Sequence, residues 1–117
     1  MSTYDSDCIF CKIAAGEFGT AFAAQSDHAV AFDDLSPQAP VHVLVVPKRH
    51  IPSIAGLEAG DGDLLADMIA LANQVARDRG IDASGYRLLT NVGPDAGQTV
   101  FHLHMHLLGG KELGPLA

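Results

Sequence analysis

The sequence predicts an α+β domain in which an antiparallel sheet of about five strands carries a short N-terminal helix and one long helix. Three observations predict it. Residues 61–79 repeat apolar side chains at helical period. Five short stretches are rich in β-branched and aromatic residues or run continuously apolar. Most connections between neighbouring stretches are short, which suits antiparallel pairing.

In chain order, residues 7–15 (DCIFCKIAA) place Ile9, Phe10, Ile13 and Ala14 at helical spacing, with Asp7 as a candidate cap and Gly16 as the stop. Residues 20–25 and 29–33 read as two short strands about a turn at Ser26, Asp27 and His28. His28 is expected to be solvated. The segment LSPQAP, with Pro37 and Pro40, is a loop. VHVLVV (residues 41–46) is a strand buried on both faces and closed by Pro47. In residues 61–79, Leu64, Leu65, Met68, Leu71, Ala72 and Val75 share one face. Asp61 can cap the start, Arg77 and Arg79 suit the negative end, and Gly80 terminates the helix. Residues 86–91 and 100–108 complete the sheet, and the helices are expected on one of its faces.

Composition bounds the function. The 117 residues suit a single domain, with an expected core over 8–110 and flexible ends at 1–6 and 111–117. With 48% apolar and 18% charged residues the chain is neither disordered nor membrane-spanning, and no apolar run approaches the length of a span. No signal-peptide pattern precedes Asp5 and Asp7, so a soluble cytoplasmic protein is expected. Seven basic residues against fourteen acidic ones give a net charge of −7, and no stripe of Lys and Arg is visible. Nucleic acid is therefore excluded as a partner. A mononucleotide is not, because a few backbone N–H groups and histidines can hold one phosphate.

The informative stretch is GQTVFHLHMHLLGG, residues 97–110. His102, His104 and His106 alternate with Leu103, Met105 and Leu107, so a strand would turn all three imidazoles to one face and give the other face to the core. Three readings follow. The row could be ordinary polar–apolar alternation, although three histidines in register are poor packing and belong beside a cleft. It could be a metal site, since strand histidines at i and i+2 can converge on one ion. It could also be nucleophilic, with one neutral imidazole attacking phosphorus while a neighbouring imidazolium binds phosphoryl oxygens.

This pattern resembles the signature of the histidine triad superfamily of nucleotide hydrolases and transferases. DLSPQAPVHVLVVPKRHI (residues 34–51), NVG (91–93) and GQTVFHLHMHLLGG resemble its Hint branch in order and spacing. The resemblance covers residues 8–110 and implies the corresponding fold, with no organic cofactor. It also implies a nucleoside 5′-phosphoramidate hydrolase that releases a purine monophosphate such as AMP through a nucleotidyl-histidine. Alternatives are a dinucleoside polyphosphate hydrolase or nucleotidyl transferase, or a non-catalytic nucleotide- or zinc-binding interaction protein.

The roles it implies are specific. His104 is the nucleophile, His106 contacts the phosphate, and His42 completes the catalytic set. Asp34 accepts hydrogen bonds from the ribose hydroxyls, and a carboxylate's paired oxygens suit a vicinal diol. Leu35 walls the base, with Phe10, Ile13 and Phe22 as looser candidates. Asn91, Gly97, Gln98 and Thr99 hold the phosphate and leaving group, Gln98 and Thr99 by offering donors. A homodimer is also implied, although the tail KELGPLA lacks the Trp that many Hint relatives carry there.

Cys8 and Cys11 form a C-x-x-C that could be a redox pair, two inert buried thiols, or half of a zinc site. The resemblance implies the last, a closed structural zinc site completed by His50 and His102.

Overall fold

The central strands form where continuous apolar, Val-rich runs can be covered on both faces, and the last strand inserts between the third and the fourth rather than following the chain order. A computed structural model describes residues 4–116. Residues 1–3 and 117, which belong to the ends expected to be flexible, lie outside the described residues. The elements are α1 (Ile9–Ala14), β1 (Ala24–Gln25), β2 (Ala29–Asp33), β3 (Val41–Pro47), α2 (Gly62–Asp78), β4 (Tyr86–Leu89) and β5 (Met105–Gly109). The sheet runs β1-β2-β3-β5-β4, and every pairing is antiparallel. This is the α+β architecture expected from the sequence.

β2 and β3 are buried on both faces, and their side chains divide by parity. Ala29, Ala31, Val41, Val43 and Val45 join Met105 and Leu107 beneath α2, against Met68, Leu71, Ala72 and Val75. Val30, Phe32, Leu44 and Val46 face the other way and pack on Phe10, Cys8 and Cys11. The expectation of helices on one face is thus corrected: α2 covers one face, and α1 lies on the other. Apolar residues on both faces of β2 and β3 require a cover on each.

Element ends also differ from the expectation. Cys8, not Asp7, caps α1, its sulfur accepting from the Cys11 N–H at 3.4 Å. α2 starts directly after Asp61, which occupies the expected N-cap position without a side-chain cap bond to the helix. The Asp61 carboxylate accepts instead from the Glu58 N–H (3.0 Å) and from Arg49 (2.8 Å). At the far end Gly80 takes φ +71°, the left-handed stop that only glycine adopts freely. Arg79 there holds both Asp33 oxygens, at 2.9 and 3.0 Å, tying α2 to the end of β2.

The largest correction concerns residues 100–108. The ladder begins only at Met105, so His102 and His104 lie on a segment with no strand pairing. The Leu103 N–H reaches the Ile51 carbonyl, and the Thr90 hydroxyl donates to the His104 carbonyl at 2.7 Å. β1 and β4 are likewise shorter than the sequence suggests.

Met68 is wholly enclosed between α2 and the sheet. Met68→Ala should lower the unfolding free energy by about 2–5 kcal/mol in urea titrations, because the neighbouring strands cannot collapse into the cavity. A loss under about 1 kcal/mol would contradict this packing.

Candidate active site and metal cluster

The even-numbered residues of β3 and of the histidine segment project to the α1 face, and two clusters assemble there. On β5, His106 stands opposite Leu44 of β3, which puts His42 diagonally across from it. The His42 and His106 rings lie 5.2 Å apart, and those of His104 and His106 lie 5.0 Å apart. His104 is 9% exposed and packs edge-on to Phe10 at 5.1 Å.

Hydrogen-bond polarity assigns the protons. His104 Nδ1 lies 2.7 Å from the His102 carbonyl oxygen, which can only accept. Nδ1 therefore carries the hydrogen, and in a neutral ring Nε2 keeps its lone pair. The Gln38 N–H donates to His42 Nδ1 at 3.0 Å, which leaves the hydrogen of a neutral His42 on Nε2. That Nε2–H faces His106 Nδ1 at 2.9 Å, so His106 in turn carries its hydrogen on Nε2. Asp34 stands beside this pair, its Oδ2 at 3.5 Å from His42 Nε2 and its Oδ1 accepting from the Ser36 N–H at 2.7 Å.

Burial, aided by the neighbouring His104 and His42, pushes the His106 pKa down to about 4. At neutral pH the ring is therefore uncharged and presents its Nε2–H as a donor. The result is a chain of donors directed from the Gln38 amide through His42 to His106. His104 is separately locked with a free nitrogen.

The second cluster is Cys8, Cys11, His50 and His102, whose ligand atoms all lie within 4.8 Å of one another. His102 Nδ1 is 3.3 Å from Cys8 Sγ, 3.5 Å from Cys11 Sγ and 3.2 Å from His50 Nδ1, and Cys11 Sγ is 3.3 Å from His50 Nδ1. A tetrahedral ion bound at about 2.0–2.3 Å puts its ligand atoms about 3.3–3.8 Å apart, so these four fit a metal ion. The second shell agrees. His102 Nε2 donates to the Pro47 carbonyl at 2.8 Å, which fixes a bare lone pair at Nδ1. Burial lowers the His102 pKa to about 4 and also raises that of the Cys11 thiol. The ring is therefore neutral, as a ligand must be.

Asp34, His42 and His106 also lie close enough to hold an ion. Their polarity argues against it. His42 Nδ1 accepts a backbone N–H, so coordination through Nε2 would need an imidazolate. The opposite hydrogen bonding of His102 and His42 separates a metal ligand from a proton donor.

The remaining expected residues are placed as follows. A cleft of about 240 Å³ is lined by Ile9, Phe10, Ile13, Thr20, Phe32, Asp34, Leu35 and Leu44, among others. Leu35 is 100% exposed at its rim. Phe22 packs in the core cluster behind the cleft and does not line it. Asn91 follows Thr90, next to the His104 carbonyl. Gly97 takes φ +87° at the turn that leads back to the histidines.

Gln98 departs from its expected role. Its amide donates to the Pro52 and Val100 carbonyls and accepts from the Gly93 N–H, so no side-chain donor is left for a ligand. Thr99 is exposed in a cleft shared with Cys8 and His50, and His28 is exposed. Sequence reasoning missed the Gln38 amide, the Thr90 hydroxyl and the Phe10–His104 contact. The first acts through its backbone and leaves no residue-type signal.

Comparisons with known proteins agree with this arrangement. The HIT domain family model matches residues 15–113. The chain is 43% identical over 110 residues to a purine nucleoside phosphoramidase of Escherichia coli (strain K12), covering 94% of this chain and 92% of that one. A HIT family hydrolase from Clostridium thermocellum superposes with a TM-score of 0.91 at 46% identity, covering 95% of this chain and 96% of its own. A histidine triad protein from Clostridium difficile superposes equally well, with a TM-score of 0.91, 42% identity and coverage of 97% and 98%.

The two buried rings make stability depend on pH. In the folded chain His102 and His106 take up a proton near pH 4, whereas an unfolded histidine does so near its ordinary 6.5. Between those values the unfolded state binds more protons, so stability is fully present above about 6.5 and declines towards pH 4. In metal-free protein the Tm should fall steadily across that window and be level just above it. A Tm unchanged from pH 6.5 to 4.5 would contradict the burial of both rings.

Proposed function

Because the chain belongs to the HIT domain family, we propose that it is a nucleotide-binding hydrolase that cleaves the P–N bond of nucleoside 5′-phosphoramidates. One observation carries the reading: the hydrogen bond from His104 Nδ1 to the His102 carbonyl leaves Nε2 with a free lone pair, on a ring packed against Phe10, which also lines the 240 Å³ cleft. The E. coli relative's name supplies the substrate class.

In this reading the base lies against Phe10, Ile13, Phe32, Leu35 and Leu44. It covers a leucine that otherwise stands wholly in water. Asp34 accepts from the ribose hydroxyls. His104 Nε2 attacks the α-phosphorus to form the P–Nε2 bond while the P–N bond breaks, and the amine departs with a proton taken from solvent. His106 donates its Nε2–H to a non-bridging oxygen, supported by His42 and the Gln38 amide behind it. Water then cleaves the P–Nε2 bond, releasing the nucleoside monophosphate and restoring the ring. Asn91, Gly97 and Thr99 border the phosphate, and Gln98 holds their loop in shape.

The Cys8, Cys11, His50 and His102 set is read as a zinc site. A closed set of four N and S ligands supplies folding free energy rather than an open position for water. The chain is read as a single domain that works in the cytoplasm as a homodimer. β4 is an outer strand, and exposed apolar Tyr86 and Ile69 lie on it and on α2. Among the described residues no helix is long and apolar enough to cross a membrane.

Adenosine 5′-phosphoramidate incubated with the protein should yield AMP. His104→Ala should lower kcat by about 10⁴-fold or more while AMP affinity stays within about threefold. An unimpaired His104→Ala would assign the nucleophile wrongly. AMP binding without any turnover by the native chain would make it a binding protein.

A further inference from the structure

We propose that the Cys8–Cys11–His50–His102 cluster positions the nucleophile, so that metal occupancy there sets the geometry of His104. The inference rests on the hydrolase reading above and assigns the cluster a task beyond holding α1 to the sheet. Two connections carry it.

The first is His102. Its side chain enters the cluster through Nδ1, while its own carbonyl oxygen accepts the His104 Nδ1–H at 2.7 Å. One residue therefore faces the metal ligands with its ring and fixes the nucleophile's proton with its backbone. This arrangement matters because the segment is not a laddered strand. β5 pairing starts at Met105, so sheet hydrogen bonds do not fix the orientation of the His102 carbonyl. The peptide that bears this carbonyl is held by two links to the cluster: its own N–H, that of Leu103, donates to the carbonyl of Ile51, the neighbour of the ligand His50, and the ring of His102 is held by Cys8, Cys11, His50 and the Pro47 carbonyl.

The second is Phe10. It sits on α1 between the two cysteines and packs edge-on to both rings, 6.0 Å from His102 and 5.1 Å from His104. α1 is only six residues long, too short to hold itself, so its place depends on its packing and on Cys8 and Cys11. Loosening the cluster frees the carbonyl that orients His104 and the ring that braces it. A displacement of about 1 Å at a reacting atom can cost about 100-fold in rate.

His50 is the variant of choice, because it is a cluster member bonded to Cys11 and His102 and does not line the 240 Å³ cleft, and the KM readout separates any effect through Thr99, with which it shares a second cleft. The experiment compares the native chain with His50→Ala and with His50→Cys, which restores a ligand. Four quantities are measured: metal content, folded fraction, kcat and KM for adenosine 5′-phosphoramidate, and the ¹⁵N-detected Nδ1–H signal of His104. The proposal expects folded His50→Ala to lose metal and its sharp Nδ1–H signal. Its kcat should fall at least about tenfold with KM within about twofold, and His50→Cys should recover both metal and kcat.

Folded, metal-free His50→Ala with native kcat and an unchanged Nδ1–H signal would overturn it. Should His50→Ala fail to fold, the native chain stripped of metal with a chelator decides, provided it remains folded by circular dichroism, and Cys11→His, which keeps four ligands, replaces it if it does not. The stripped chain should lose the sharp His104 Nδ1–H signal and at least about tenfold in kcat, and zinc should restore both; in Cys11→His, loss and restoration of zinc should move the same two quantities, and no change in either would overturn the proposal. If the native chain hydrolyses no phosphoramidate, the hydrolase reading fails instead, and the Nδ1–H signal still decides whether cluster and ring are coupled.

Discussion

The hydrogen bond from His104 Nδ1 to the carbonyl of His102 is the constraint on which the site depends. An imidazole has two nitrogens, and a protein that needs one as a nucleophile must occupy the other with an acceptor. A backbone carbonyl has no hydrogen to give, so the choice of tautomer is forced. Placing that carbonyl two residues upstream requires an extended but unpaired segment, which the chain provides by starting its ladder at Met105.

The same logic separates two clusters built from similar residues. His102 donates from Nε2 to a carbonyl and so offers a lone pair to the cysteines and His50. His42 receives an amide hydrogen at Nδ1 and so offers an N–H to His106. Whether a histidine becomes a ligand or a donor is decided by what its far nitrogen meets. Burial reinforces both outcomes by keeping His102 and His106 uncharged near neutrality.

Much of this was legible from residues alone. The helical period of Met68, Leu71, Ala72 and Val75 marks a face that α2 does bury, and alternation at Leu103, Met105 and Leu107 marks the side given to the core. The four cluster residues were named from a family resemblance and are brought together in space. What could not be read depends on long-range packing or on backbone. Helical spacing in residues 7–15 does not say which side of the sheet α1 will cover, so the Phe10–His104 contact has no sequence signal. Gln98 carries two donors that could face a ligand or the chain, and three loop partners settle that choice. The strand expected over 100–108 is shortened: pairing starts at Met105, and upstream of it His102 lies against the cysteines and the Leu103 N–H bonds the Ile51 carbonyl.

Neutron diffraction from deuterium-exchanged crystals, at a pH near neutrality, tests the central claim most directly because it locates the ring hydrogens themselves. The account predicts deuterium on Nδ1 of His104 with Nε2 bare and free of metal, and deuterium on Nε2 of His42 and of His106. Deuterium on Nε2 of His104, or an ion coordinated there, would contradict it.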